Sequence, residues 1–388
     1  MVGPPTVPTD LADDVAGPAP DLASLVAGGR LADVLEVVRA HPDVSLAVDP
    51  ALVATALSAD DTTAGWAQDL LAAATGRDVL ALPWGDPDLT ALAHAGTPDL
   101  LAAATERSRA ALAGGALQDA PFAGRTDVLW APGPATDQAT ADLAAATGAQ
   151  TLVLRPGDVP TPDGEPAGAR TQLASGLVGL VPDAVLTQLL VDPTELDPDA
   201  TSATTVQRAL AELSVVARDT TGGPRHLLVA PPRGWTPDAA VVDAVLAAVQ
   251  QAPWARTASL SSLLGAATGT AEREPLPALV PVEAALGAED VRRLDASRTA
   301  THAFASVTEE PAAIVEGLDE AVLAPCPRRG APSPTPAPPS STRWSRPRTP
   351  GARVSSSHRP ARRTSSAHAA RCGSRCGTRC RRTRPCGC

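Results

Sequence analysis

An alternation constrains this chain most. From about residue 29, short apolar runs are separated by alanine-rich stretches of helical period, the pattern of repeated βα units around a parallel sheet. Six runs read as strands: "VSLAVD" (44–49), "VLALPW" (79–84), "DVLWAP" (127–132), "TLVLRP" (151–156), "LVGLV" (177–181) and "HLLVAPP" (226–232). A seventh is expected to start near Ala258. The stretches between them, such as "TPDLLAAATERSRAALAGG", open at threonine or aspartate and stop at glycine, as helix ends do. The expectation is an α/β fold: a barrel-like (β/α) ring of six to seven parallel strands, complete or distorted. An open three-layer sheet is the second choice, and no glycine-rich dinucleotide fingerprint follows the first strand.

The alternation also sets domain limits. Residues 1–27, rich in proline, alanine and aspartate, read as a linker or loose entry segment, residues 28–323 as the barrel-like domain, and residues 324–388 as an Arg/Pro/Cys-rich tail expected to be disordered. Charge divides at the same place. All 43 acids lie at or before Glu320 with 17 of the 32 arginines, so the body carries −26, whereas the last 65 residues carry 15 arginines and no acid. A body this acidic repels nucleic acid and anionic lipid. Every cation is arginine, a bias expected of GC-rich codons, so missing residue types say little about fold. No apolar run reaches the roughly 18 to 20 residues of a membrane span, and "VGPPTVPTDLADD" after Met1 does not read as a signal peptide.

In parallel βα folds the working residues sit just past the C-terminal ends of the strands. Those positions hold Asp49, Trp84 with Asp86 and Asp88, Trp130, Arg155 with Asp158, Asp183, and Arg233 with Trp235. Asp49 and Asp86 are the candidate catalytic pair for glycosidic chemistry, provided their environments split their pKa values. Each also precedes a proline, the pairing of a helix cap with proline at the first helical position, and sequence leaves both roles open. Trp84, Trp130 and Trp235, with Asp88 and Arg233, are candidate contacts for a sugar ring; packed tryptophans closing the barrel end are the alternative. The six histidines include no i, i+3 or i, i+4 pair, and no GxSxG, P-loop or HExxH motif is present, so neither metal nor cofactor is expected.

The stretches "GGRLADVLEVV", "LAVDPALV", "LALPWGDPDLTALAHAG", "LVAPPRGW" and "APW" resemble an uncharacterised family of actinobacterial cell-envelope proteins over roughly residues 28–265. The resemblance implies a barrel similar to sugar hydrolases and polysaccharide deacetylases, followed by β-sandwich modules and a membrane anchor. It further implies an extracytoplasmic place near wall assembly, with cell-wall glycan or an envelope protein as partner and no established reaction.

Where β-sandwich sequence is implied, this chain runs into "RCGSRCGTRCRRTRPCGC". Cys372, Cys376 and Cys380 lack the C-x2-C spacing of zinc sites, and a nucleic-acid arm with one aromatic, Trp344, and no fold signature is a weak alternative. Written with GC-rich codons and read two nucleotides later, residues 364–388 instead yield alternating apolar and polar residues around a turn. A frameshift near residues 324–330 is therefore the expected origin of the tail.

Overall fold

In the computed structural model of the chain the described residues are 22–315, apart from short gaps at 115–116, 121–123, 132–135, 163–167, 219–224, 269–270 and 282–286, together with 318 and 322. All of them belong to one compact unit, Met1–Pro332. The proposed entry segment 1–27 lies outside the described residues up to residue 21 and then forms a short helix, Leu22–Val26, rather than a linker, and the arginine-rich tail lies outside them.

Among the described residues seven short strands form two sheets: β1 (Leu46–Val48), β2 (Val79–Ala81) and β3 (Gly124–Arg125) in one, and β4 (Val128–Trp130), β5 (Thr151–Val153), β6 (Arg170–Gln172) and β7 (Val178–Leu180) in the other. The first sheet is parallel throughout, with Leu46 opposite Val79 and Val79 opposite Gly124. In the second, β4, β5 and β7 run parallel, and β6 adds an antiparallel edge through a hairpin closed at Gly176 (φ 86°). Only two residues separate β3 from β4. A single bent segment, 124–130, therefore pairs with β2 by its first half and with β5 by its second, which orders the strands as one curved series.

Side-chain alternation follows the pleat. Ala47, Leu80, Leu82, Val128, Val153 and Leu180 share an inner cluster with Trp130, Val178 and Leu228, floored by Leu260, Leu263 and Leu264 of the helix Leu260–Gly265. Their neighbours Leu46 and Val48 face outward onto the helices Arg30–Ala40, Pro50–Leu57 and Asp61–Ala74. Leu129, Leu152 and Leu154 face a second outer layer that includes Leu89–Ala95, Pro98–Gly114 and Gln138–Ala146. Residues on both faces of the strands are thus buried, which is why the strands read as unbroken apolar runs.

Five of the six expected strands form, each shorter than its apolar run. The sixth, 226–232, forms no strand and meets its neighbours through isolated backbone bonds, His226 O accepting from Ala169 N at 2.7 Å and Leu228 O from Asp183 N at 2.8 Å. Pro231 and Pro232 have no N–H to continue a ladder. The seventh, near Ala258, is the approach to the helix Leu260–Gly265 instead. A closed ring of six to seven parallel strands is therefore not what the backbone hydrogen bonds draw. Side chains tie the segment leading into β1 to residues 243–260: His41 Nε2 meets Asp243 Oδ1 at 2.5 Å, Thr257 Oγ1 donates to Asp43 Oδ2 at 2.9 Å, and Ser45 Oγ accepts from Leu260 N at 3.1 Å.

Candidate functional site

The turns leaving β1 and β2 build the site. Asp49 directly follows β1 and caps the helix Pro50–Leu57, its Oδ1 accepting from Ala51 N at 2.9 Å with Pro50 at the first helical position. The same oxygen accepts from Gly85 N at 3.1 Å, so the first turn grips the second. Asp49 is fully buried, and among the described residues its Oδ2 has no hydrogen-bond partner. Burial, reinforced by the nearby Asp86 carboxylate, pushes its pKa up from 3.8 to about 7.

The β2 turn is conformationally demanding. Gly85 (φ 75°) is followed by Asp86 at φ 46°, the one non-glycine residue with positive φ among the described residues. A left-handed aspartate costs energy that the surroundings must supply. Here Asp86 N donates to Pro83 O at 2.8 Å, and Arg233, from the far end of the strand series, grips both carboxylate oxygens: Nη2 lies 2.8 Å from Oδ1 and Nε meets Oδ2. Arg233 Nη2 also donates to Trp130 O at 3.0 Å, and its guanidinium lies over the Trp130 ring, 5.4 Å from the centroid. Strand ends of both sheets are joined in this way. Asp86 is 5% exposed.

Four of the sequence-derived candidates, Asp49, Asp86, Trp130 and Arg233, therefore meet in one chain of contacts. The other three stand apart from it. Asp88 is buried and caps Leu89–Ala95, accepting from Thr90 N at 3.0 Å and Ala91 N at 3.1 Å. Trp84 packs into the outer layer with the Arg107 guanidinium 5.0 Å from its ring centroid, and Trp235 donates from Nε1 to Leu190 O at 3.0 Å. The cap-or-catalyst alternative resolves differently for each aspartate: Asp49 caps a helix, whereas Asp86 caps none and serves an ion pair.

Two participants were not singled out from sequence. Gly85 supplies an amide to Asp49, and Arg30 donates from Nη1 to Arg233 O at 3.2 Å. For Gly85 a signal existed, because a glycine between a strand and an Asp-Pro pair marks a turn needing positive φ. Arg30 carried none. Among the described residues no group of three or more histidine, cysteine, aspartate or glutamate side chains could hold a metal ion, and no helix is long and apolar enough to cross a membrane.

Several solved structures are similar to the chain. A GH57 branching enzyme from the hyperthermophilic archaeon Thermococcus kodakaraensis matches at a TM-score of 0.50 and 11% identity, over 83% of this chain and 82% of its own; at that identity the likeness concerns the fold alone. A 4-α-glucanotransferase from Thermococcus litoralis matches at 0.45 and 10% identity over 67% of this chain, which spans 39% of that enzyme's length. A Mycobacterium smegmatis protein described as a polysaccharide deacetylase matches at 0.38 and 18% identity, over 62% of this chain and 77% of its own. Both of these likenesses are too loose to bear on fold or function. No curated protein matches the chain. A family model does match, over residues 12–370 and so across nearly the whole sequence: the chain belongs to a family of unknown function, DUF6049.

Proposed function

We propose that this is an extracytoplasmic cell-envelope protein of actinobacterial origin whose α/β domain binds a glycan, or a glycan-bearing partner in wall assembly, without cleaving it. The binding place is the mouth at Asp49, Asp86, Trp130 and Arg233. One observation carries the reading: both carboxyl groups of the candidate catalytic pair are already engaged by the protein. Arg233 holds both oxygens of Asp86, and Asp49 is fully buried with one oxygen divided between two amides. A glycosidase needs two carboxyls facing the scissile bond, about 5 to 5.5 Å apart for retention or about 6.5 to 9.5 Å for inversion. What remains at the mouth is an aromatic ring and a cation, the elements of a binding platform. Trp84, Asp88 and Trp235, engaged elsewhere, are not part of this platform.

Envelope location, secretion with a membrane anchor in intact members, and actinobacterial origin rest on the motifs within residues 28–265 and on family membership. A frameshift as the source of residues 324–388 rests on the loss of acids and the sudden cysteines. The family match extending to residue 370 weighs against it, and the nucleotide sequence of codons 320–388 decides.

Calorimetric titration of soluble peptidoglycan and arabinogalactan fragments tests the binding reading. Trp130→Ala is expected to weaken binding by about 1 to 3 kcal/mol, the range of a lost aromatic contact. No heat from any fragment with the wild-type protein would overturn it. The hydrolase alternative has one observation in its favour, the Asp49 carboxyl lifted to about 7 with an unpartnered oxygen, as a proton donor requires. Release of reducing ends by the wild type, lost in Asp49→Asn, would establish that alternative in place of the binder.

A further inference from the structure

The mouth's charged groups are used unevenly. Aspartates past the strand ends elsewhere in the fold are turned onto backbone amides, as Asp49 is onto Ala51 and Gly85: Asp88 onto Thr90 and Ala91, Asp183 onto Leu186, and Asp158 onto Arg155. Four of these amides open helices, where the positive end of the helix dipole offsets the carboxylate. Arginine is spent differently. Arg233 has five N–H groups; three are committed, to the two oxygens of Asp86 and to Trp130 O. Its Nη1, with two N–H groups, has no partner among the described residues. Asp86 along one edge and the Trp130 ring beneath hold the guanidinium in place, so a ligand meeting Nη1 would bear little of the entropy cost of ordering it. Arg30 adds a second positive charge, donating to the Arg233 carbonyl.

Two free N–H donors on a guanidinium anchored by Asp86 match a ligand that brings acceptors and negative charge. We infer that the glycan held at this mouth is an acidic one, with a carboxylate or phosphate group seated on Nη1 of Arg233. The inference rests on the glycan-binding reading and narrows its ligand class.

The test uses the full chain and matched ligand pairs in calorimetry: tetragalacturonate against its fully methyl-esterified form for the carboxylate, and glucose 1-phosphate against glucose for the phosphate. At least one charged member is expected to bind on the order of tenfold more tightly than its neutral partner, the scale of a charge-assisted hydrogen bond. Raising NaCl from about 50 to about 500 mM should shrink that advantage. Arg233→Lys keeps a cation beside Asp86 and removes Nη1, and is expected to bring the charged and neutral ligands to within about threefold of each other. Should that variant fail to fold, the salt series on the wild type decides. Equal affinity within both pairs, or an advantage untouched by salt, overturns the acidic-ligand inference and leaves the glycan reading standing. Absence of binding by all four ligands overturns the acidic-ligand inference, while the glycan reading falls only if peptidoglycan and arabinogalactan fragments also give no heat.

Discussion

Asp49 and Asp137 begin from the same local rule and end in opposite states. Each is fully buried, each follows a strand of a parallel sheet, and each caps the next helix. Asp137, beyond β4, uses both oxygens: Oδ1 accepts from Thr140 N at 2.9 Å and Thr140 Oγ1 at 2.7 Å, and Oδ2 meets His94 Nε2 at 2.6 Å and accepts from Val280 N at 3.0 Å. Burial alone would raise its pKa, but bonds from Thr140, Val280 and His94 outweigh burial and hold it below the ordinary value. Asp49 has two donors on one oxygen, none on the other among the described residues, and a second carboxylate beside it. The first aspartate is structural. The second does more than a cap requires, since serine, threonine or asparagine would cap the helix without burying an acid at that cost. Stability given up at a strand's C-terminal end is a mark of function.

The largest effect should come from breaking the satisfied aspartate. Asp137→Ala leaves His94, Thr140 and the Val280 amide unpaired and is expected to cost about 3 to 5 kcal/mol in urea denaturation. A loss under about 1 kcal/mol would mean Asp137 anchors nothing. Its pH dependence should run opposite to that of Asp49: a depressed folded pKa supplies stability above the unfolded value, and that stability disappears as pH falls through the folded one.

Asp49 ranks next. Its folded pKa of about 7 lies above the ordinary 3.8, so its contribution is fully present below about pH 4 and is lost as pH rises through 7. Relative to Asp49→Asn, which cannot ionise, the wild type should lose about 2 to 4 kcal/mol between pH 4 and pH 7.5. Parallel stability curves for the two proteins would place Asp49 in the same class as Asp137.

The Asp49 side of this contrast was legible in the sequence, the Asp137 side was not, and the illegible part has physical causes. Strand C-terminal ends could be read because strands buried on both faces are short apolar runs, and Asp49 and Asp86 fall one and five residues past β1 and β2. Asp-Pro announces a cap, and that reading held for Asp49. It failed for Asp86 because the partner that decides its role, Arg233, is 147 residues away. The closed ring was over-read for a related reason: "HLLVAPP" has the hydrophobicity of a strand, but its two prolines have no N–H to continue a ladder. The hairpin at Gly176 went unread because β6 is three residues long and polar. Equal tryptophan signals at strand ends also concealed three different fates, with only Trp130 joining the mouth.

The smallest effect is expected at Trp235. Trp235→Phe removes the donor to Leu190 O and should cost about 1 kcal/mol of stability, read as a small fall in Tm, with glycan affinity unchanged. A loss of affinity matching that of Trp130→Ala would extend the mouth to this loop.

The contrast between the two buried acids can be observed directly by carboxyl-carbon NMR titration with Asp49 and Asp137 assigned, in the free protein and with a wall-glycan fragment present. The Asp49 resonance is expected to titrate near pH 7 and to shift when glycan is added, while Asp137 stays ionised down to below pH 3.8 and does not respond. If Asp49 titrates with the ordinary carboxylates, or if glycan moves Asp137 and leaves Asp49 untouched, the functional mouth is not at the turns leaving β1 and β2.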